Sequence, residues 1–174
     1  MTETVVRLLS EADVDTYWTL RLEALKNEPE SFGATFEESV NTPLADVVNQ
    51  LNPSEDSFVM GAFAPHLVGM VGLYRRNGLK LRHKGTIWGM YVAADGRGKG
   101  IGRALMRALI AHAVSLSSYE QLVLTVVTTN DAAHSLYLSL GFKTYGTEIA
   151  ALKLGNLYLD EELMALQLIL STVV

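Results

Sequence analysis

Apolar residues along the chain follow two periods, and each period predicts a different element. Short runs rich in β-branched and aromatic residues predict strands, most of them buried on at least one face. The short turn of Ala64, Pro65 and His66 predicts that the strands on either side of it pair as a hairpin. We expect seven strands, at residues 4–9, 57–63, 67–76, 84–92, 121–127, 143–152 and 157–169.

Helices are predicted where apolar residues recur every three or four positions. Ser10 and Asp13 resemble a capping box at the start of the first helix, and the second is expected to begin near Pro43. The third begins at Ile101 with one apolar stripe, and the fourth ends at Gly141, a residue suited to the position after a helix. Strands and helices in this order predict an α/β (α+β) fold, with a mixed sheet covered on both faces.

Composition limits the kind of protein. The chain has 174 residues, 49% of them apolar, so we expect a single soluble domain spanning residues 1–174. Cysteine is absent and the four histidines lack ligand spacing, so no metal site is expected. The N-terminus does not resemble a signal peptide, and residues 163–174 are too short and polar to span a bilayer. We therefore expect a cytoplasmic protein without a membrane partner.

Charge is unevenly distributed. The net charge of −5 argues against a nucleic-acid partner. Residues 1–56 carry a net charge of −9, whereas residues 75–107 carry +8 around a glycine-rich stretch. Any single charged residue could simply belong to a solvent-exposed face. However, the cations cluster around the glycine-rich stretch, and this coincidence favours anion binding.

The glycine-rich stretch, DGRGKGIG at residues 95–102, lies between a predicted strand and a predicted helix. The first backbone N–H groups of a helix have no internal partner, and glycines let a phosphate approach them. The dinucleotide fingerprint GxGxxG does not fit in any register, and the nucleotide P-loop GxxxxGK[ST] does not fit either.

Arg97-x-x-Gly100-x-Gly102, after a strand and before an Ala/Leu-rich helix, resembles the pyrophosphate-binding motif of the GNAT superfamily of acyl-coenzyme A dependent N-acetyltransferases. The segment NDAAHSLYLSLGF at residues 130–142 resembles that family's second cofactor segment. The resemblance implies a mostly antiparallel seven-stranded sheet, splayed between the fourth and fifth strands.

The resemblance also implies roles for individual residues, with acetyl-coenzyme A as co-substrate. Backbone groups of Met90, Tyr91 and Val92 would pair with the pantetheine arm, and Met90 or Tyr91 would supply the oxyanion donor. Asn130 would contact the cofactor, and Tyr137 would be the general acid. The pyrophosphate would be bound by the backbone N–H groups of six residues: Arg97, Gly98, Lys99, Gly100, Ile101 and Gly102. Tyr137 could instead be an ordinary core aromatic, and Asn130 only a helix cap.

The acceptor side is less defined. No carboxylate lies in residues 85–94, where many relatives have a glutamate base, so Glu37, Glu38, Glu148 or a water chain could serve. The expected function is direct transfer of an acetyl group to a primary amine. A non-catalytic acyl-coenzyme A binding or sensing module is the alternative, and a homodimer is left open. The acidic N-terminal segment suggests a cationic acceptor, a small molecule or a peptide, with Glu37 and Glu38 as contacts and Phe32 and Phe36 as apolar walls.

Overall fold

The computed structural model describes residues 3–168, which form one seven-stranded sheet with helices on both faces. The strand order is β1-β2-β3-β4-β5-β7-β6. The strands are β1 (Val5–Leu8), β2 (Ser57–Phe63), β3 (Leu67–Arg75), β4 (Lys84–Val92), β5 (Gln121–Val127), β6 (Lys143–Leu154) and β7 (Leu157–Gln167). The α-helices are α1 (Val14–Asn27), α2 (Phe36–Ser39), α3 (Leu44–Leu51), α4 (Ile101–Ser115) and α5 (Asp131–Ser139).

All neighbouring strands are antiparallel except β4 and β5, which run parallel. A parallel pair needs a crossover connection, and α4 supplies it on one face of the sheet. The predicted mixed, mostly antiparallel sheet is therefore confirmed. The strand pattern could not show that β7 inserts between β5 and β6.

Two apolar layers cover the two faces of the sheet. On one face α4 contributes Leu105, Met106 and Leu109, all fully buried. On the other face α1 contributes Tyr17 and Leu20, and α3 adds further apolar contacts. Each helix buries one stripe, as the period of about 3.6 requires. The sheet is thus fixed from both sides, which makes it a rigid support for a site at its centre.

The parallel pair is short, and this opens the sheet. β4 and β5 are paired only from Lys84 to Thr86 and from Gln121 to Val123. Beyond these positions β5 stays paired with β7 to its end, whereas β4 stays with β3. A register shift on β4, with Gly89 at φ +64°, bends the strand at this point. The expected splay between the fourth and fifth strands is confirmed.

The structure differs from the sequence prediction mainly in the helices before β2. Ser10 and Asp13 do form a capping box, but it closes a 3₁₀ turn before α1. A short additional helix, α2, begins after Thr35, which forms its own capping box with Glu38. No helix among residues 3–168 is both long and apolar enough to cross a membrane.

Candidate functional site

The glycine-rich turn before α4 presents bare backbone to solvent. Gly98 and Gly100 have φ of +73° and +75°, which glycine adopts without strain, and a Cβ on either would touch nothing within 4 Å. Within the described chain, no backbone N–H from Gly98 to Arg103 donates a hydrogen bond; Ala104 is the first, to the Gly100 carbonyl at 3.0 Å. Free donors at the start of a helix are suited to binding an anion, so the turn is a candidate anion site.

The cationic side chains of this turn fold back on the protein. Arg97 Nε donates to the Val92 carbonyl at 2.9 Å, and its guanidinium also pairs with the Glu28 carboxylate. Lys99 Nζ donates to the Asp95 carbonyl at 2.7 Å. The Arg97 N–H, expected to be free, donates to the Ala94 carbonyl at 3.4 Å, which corrects that expectation. The anion site is therefore built mainly from backbone between residues 98 and 103.

Three cavities with shared lining residues follow one another along the gap between β4 and β5, and this row of cavities is called the passage below. The loop-side cavity, of about 270 Å³, borders the glycine-rich turn and is lined by Met90, Tyr91, Val92, Arg97, Gly102, Asn130 and Tyr137, among others. The junction cavity, of about 90 Å³, shares Met90, Asn130 and Tyr137 with it. The large cavity, of about 600 Å³, shares Trp88, Gly89 and Thr125 with the junction cavity. The structure thus brings together most of the expected cofactor residues.

Gly102 lines the loop-side cavity, and a side chain at this position would crowd its neighbours. A Cβ at this position would lie 3.0 Å from Met90 Cε and 3.4 Å from Leu136 Cδ2. Ile101, by contrast, buries its side chain in the core, so that only its backbone faces the turn.

Tyr137 lies where the loop-side and junction cavities meet. Its ring packs near Phe142, at 6.0 Å between centroids, and only 6% of the residue is exposed. Burial alone raises the pKa of the Tyr137 hydroxyl to about 12. The phenol is therefore neutral and able to donate a proton at every physiological pH.

Asn130 begins α5 beside this tyrosine. Its side-chain oxygen accepts a hydrogen bond from the Ala133 N–H at 3.2 Å, so it is a helix cap. It also lines both the loop-side and junction cavities. The amide nitrogen of the same side chain is left to contact a ligand, so the two expected roles are compatible.

Backbone direction alternates along the end of β4. The Ala93 N–H donates to the Val68 carbonyl at 2.8 Å, on the β3 side. Because backbone groups alternate along an antiparallel strand, those of Val92 face the gap, and those of Tyr91 face β3. The expectation that Tyr91 backbone pairs with a ligand in the gap is therefore wrong. The Tyr91 hydroxyl instead donates to Glu23 Oε1 at 3.0 Å.

The large cavity contains only two of the five residues expected on the acceptor side. Phe32 and Glu148 line it. Phe36, Glu37 and Glu38 do not, because they belong to α2, where Glu38 caps the helix and Phe36 packs against Lys26. Both glutamates are exposed. The expectation for these three residues is corrected.

Glu161 is a site residue that the sequence analysis missed. It lies opposite Glu148 in the β6–β7 pair, and both carboxylates line the large cavity. Burial raises the pKa of Glu161, and the negative charge of Glu148 raises it further, while a hydrogen bond with Thr125 opposes this shift. The signal available in the sequence was the run of three acids at residues 160–162 inside a strand, but strand order decides which of them faces the cavity.

Arg21 is the second site residue that was missed. Its guanidinium lies 5.0 Å from the Phe32 ring centroid and 5.6 Å from that of Trp88, and it lines the large cavity. Burial lowers the pKa of Arg21, against a smaller opposing effect of Tyr17. A half-buried cation on the core side of α1 breaks the amphipathic pattern, and that break was the available signal.

The sequence matches the acetyltransferase (GNAT) family over residues 18–142. The chain belongs to the GNAT acetyltransferase family. The matched range covers the glycine-rich turn, the gap between β4 and β5, and Tyr137. The GNAT fold thus accounts for the free backbone donors and for the passage beside them. Among the described residues, no three His, Asp or Glu side chains converge as a metal site.

Similar proteins agree with the family assignment. The N-acetylaspartate synthetase of Danio rerio is 34% identical over 112 residues, which cover 62% of this chain and 37% of that relative. A GNAT-family acetyltransferase from Streptococcus pneumoniae has a TM-score of 0.84 at 20% identity, covering 95% of this chain and 99% of the other. A putative acetyltransferase from Salmonella typhimurium, solved with its cofactor acetyl-CoA, has a TM-score of 0.81 at 22% identity. The match covers 96% of this chain and 95% of the other.

Proposed function

We propose that this protein transfers the acetyl group of acetyl-CoA to a primary amine by direct attack. The observation that carries the proposal is the row of cavities from the glycine-rich turn to the large cavity, with Tyr137 lining both the loop-side and the junction cavity. Two substrates that enter from opposite sides of the sheet would meet in the junction cavity. Such a meeting point fixes both reacting groups in one orientation.

The residues beside the turn fit acetyl-CoA. The free N–H groups from Gly98 to Arg103 would hold its pyrophosphate, and the Val92 backbone would pair with its pantetheine arm. The Val92 carbonyl already accepts from Arg97 Nε, so Arg97 would shift or share that acceptor. When bound, acetyl-CoA supplies an activated thioester at the junction cavity. The related Salmonella typhimurium structure with acetyl-CoA supports this assignment.

Protons move between named groups in the proposed reaction. The neutral amine nitrogen attacks the thioester carbonyl, the carbon–sulfur bond breaks, and Tyr137 donates its proton to the departing sulfur. The Met90 N–H is the proposed donor to the carbonyl oxygen, since Met90 lines the junction cavity beside the β4 register shift. No enzyme nucleophile is required, which agrees with the absence of cysteine.

Glu161 is the proposed acceptor of the amine proton. Its carboxylate lines the large cavity, and its partner Thr125 lines both the large and junction cavities. The charged groups that face it there are Glu148, Arg21 and Arg76. A raised carboxyl pKa brings this base nearer to neutral pH, where proton transfer from an ammonium is more effective.

The test is release of free thiol from acetyl-CoA in the presence of a broad panel of amines. We expect amine-dependent release by the wild-type protein and a large loss in Tyr137→Phe. Binding of acetyl-CoA without release across the whole panel would instead identify a non-catalytic binding or sensing module. Absence of acetyl-CoA binding would contradict the proposed cofactor altogether.

A further inference from the structure

Two buried polar atoms lack a hydrogen-bond partner among residues 3–168, and both belong to the large cavity. They are Arg21 Nη1 and Thr86 Oγ1, each exposing less than 1 Å². Buried polar groups in native proteins are nearly always paired, so each unpaired one requires an explanation. Two of them on one cavity wall indicate that a polar ligand supplies the partners.

Arg21 is held in place by apolar contacts rather than by a counter-ion. Its guanidinium packs against the rings of Phe32 and Trp88. None of the ion pairs within the described residues involves Arg21. The nearest acids along α1 and after it are engaged elsewhere, Glu23 with Tyr91 and Glu28 with Arg97. The cation is therefore oriented but not neutralised.

Removing a guanidinium from water without a partner is unfavourable, and an anion within hydrogen-bond distance would offset this cost. A planar carboxylate suits the fork of an arginine, which can donate two parallel hydrogen bonds. Nη1 lies near Gly89, since a Cβ there would be 3.6 Å from it. Arg21 therefore places an anion binding point close to the β4 register shift, beside the junction cavity.

The same cavity has acidic groups on its other strands. Glu148 and Glu161 lie on β6 and β7, whereas Arg21 comes from α1. Arg76 of the segment after β3 also lines the cavity, which thus offers two cations and two carboxylates to one ligand, and Arg21 is the cation with an unpaired buried nitrogen. Its volume of about 600 Å³ falls within the range of small-molecule sites.

We propose that the acceptor is a free amino acid. Arg21 binds the carboxylate of this amino acid, and the amine of the same amino acid faces Glu161. This inference rests on the proposed acetyl transfer and adds the substrate class and a specificity-determining residue. The Thr86 hydroxyl provides a further hydrogen bond to the polar end of the same ligand. An anionic group on the acceptor is the reverse of the cationic acceptor expected from the acidic N-terminal segment. That expectation relied on Glu37 and Glu38, which lie outside the cavity.

The test compares amino acids with analogues that lack the negative charge. Each acceptor, alanine, serine and leucine among them, is paired with its α-carboxamide and its decarboxylated amine. Variants are Arg21→Met, which keeps apolar contacts, Arg21→Gln, and Arg21→Lys, which keeps the charge. Lys26→Gln is the matched control, since it removes an exposed cation from the same helix outside the cavity. Unchanged acetyl-CoA affinity and circular dichroism establish that each variant is folded.

We expect the wild-type protein to prefer at least one amino acid over its carboxamide by about 10- to 100-fold in kcat/KM, the size of one charge-assisted hydrogen bond. Arg21→Met and Arg21→Gln should abolish that preference, Arg21→Lys should restore part of it, and Lys26→Gln should retain it. Equal kcat/KM for acid and carboxamide, or an unchanged preference in Arg21→Met, would overturn the inference.

Calorimetry separates this inference from the proposed reaction. Amino acid is titrated into the protein saturated with coenzyme A. Binding that is lost in Arg21→Met supports the Arg21 site even if no acetyl transfer occurs. Conversely, acetyl transfer to uncharged amines, without binding of any amino acid, would leave the proposed reaction standing and refute the role of Arg21.

Discussion

Replacing Tyr137 by phenylalanine removes one hydroxyl from the passage and keeps the ring that packs against Phe142. The pKa of about 12 lies two units above the reference value of 10.0. Each unit corresponds to about 1.4 kcal/mol, so the site favours the neutral phenol by about 3 kcal/mol. The variant therefore loses a proton donor and no charge. We expect kcat to fall by about 10²-fold or more, with little change in acetyl-CoA affinity.

The same substitution changes stability at high pH. Because the folded pKa of Tyr137 is raised to about 12, the folded protein holds this proton more tightly than the unfolded chain does. Its contribution to stability is fully present below about pH 10 and is lost as the pH rises toward 12. The wild-type protein should therefore lose up to about 3 kcal/mol more stability than Tyr137→Phe between these pH values.

The assay is steady-state thiol release combined with urea unfolding at pH 8, 10 and 12. Tyr119→Phe is the control, because Tyr119 is also buried but donates to the Glu55 carbonyl at 2.6 Å, away from the passage. That variant should lose about 1 kcal/mol of stability and keep full activity. An unaffected rate in Tyr137→Phe would show that this tyrosine is a core aromatic and not the acid.

Further predictions concern the turn and the base. Gly100→Asp should weaken acetyl-CoA binding at least about tenfold relative to Gly100→Asn, which has the same shape without the charge, and equal affinities by calorimetry would contradict the anion site. Glu161→Gln should lower kcat/KM and remove the acidic limb of the pH–rate profile. In the wild-type protein this limb reflects protonation of the Glu161 carboxylate, whose pKa is raised. Glu148→Gln should shift that limb to lower pH, because it removes a negative charge that raises the pKa of Glu161; a pH–rate profile unchanged in both variants would exclude Glu161 as the base. Glu162→Gln, whose carboxylate pairs with His134, is the control for both.

Local signals in the sequence predicted where the two helices beside the passage begin. The residues of the turn at 95–102 and of the α5 segment follow one another along the chain, so spacing alone places them on their elements. Asn130 at the start of α5 and Gly141 just after its end both occupy the predicted positions, Gly141 with φ of +96°. Helix starts and ends are decided within a few residues, which is why these predictions hold.

The acceptor side could not be predicted in the same way, because residues distant in sequence build it. Glu161 reaches the large cavity only because β7 inserts between β5 and β6. Arg21 reaches it because α1 packs beside Trp88 and Phe32. Net charge along residues 1–56 suggested a cation site there, but Glu37 and Glu38 point to solvent while the single Arg21 faces the cavity.

The most direct test of the central claim follows the acetyl group itself. Acetyl-CoA labelled on its acetyl carbon is incubated with the protein and an amine, and the label is traced by mass spectrometry. The account predicts label in an amide of the acceptor, in one-to-one ratio with free thiol, and none on the protein during a single turnover. Label found in free acetate or attached to a protein side chain, or thiol release that does not depend on the amine, would contradict direct transfer.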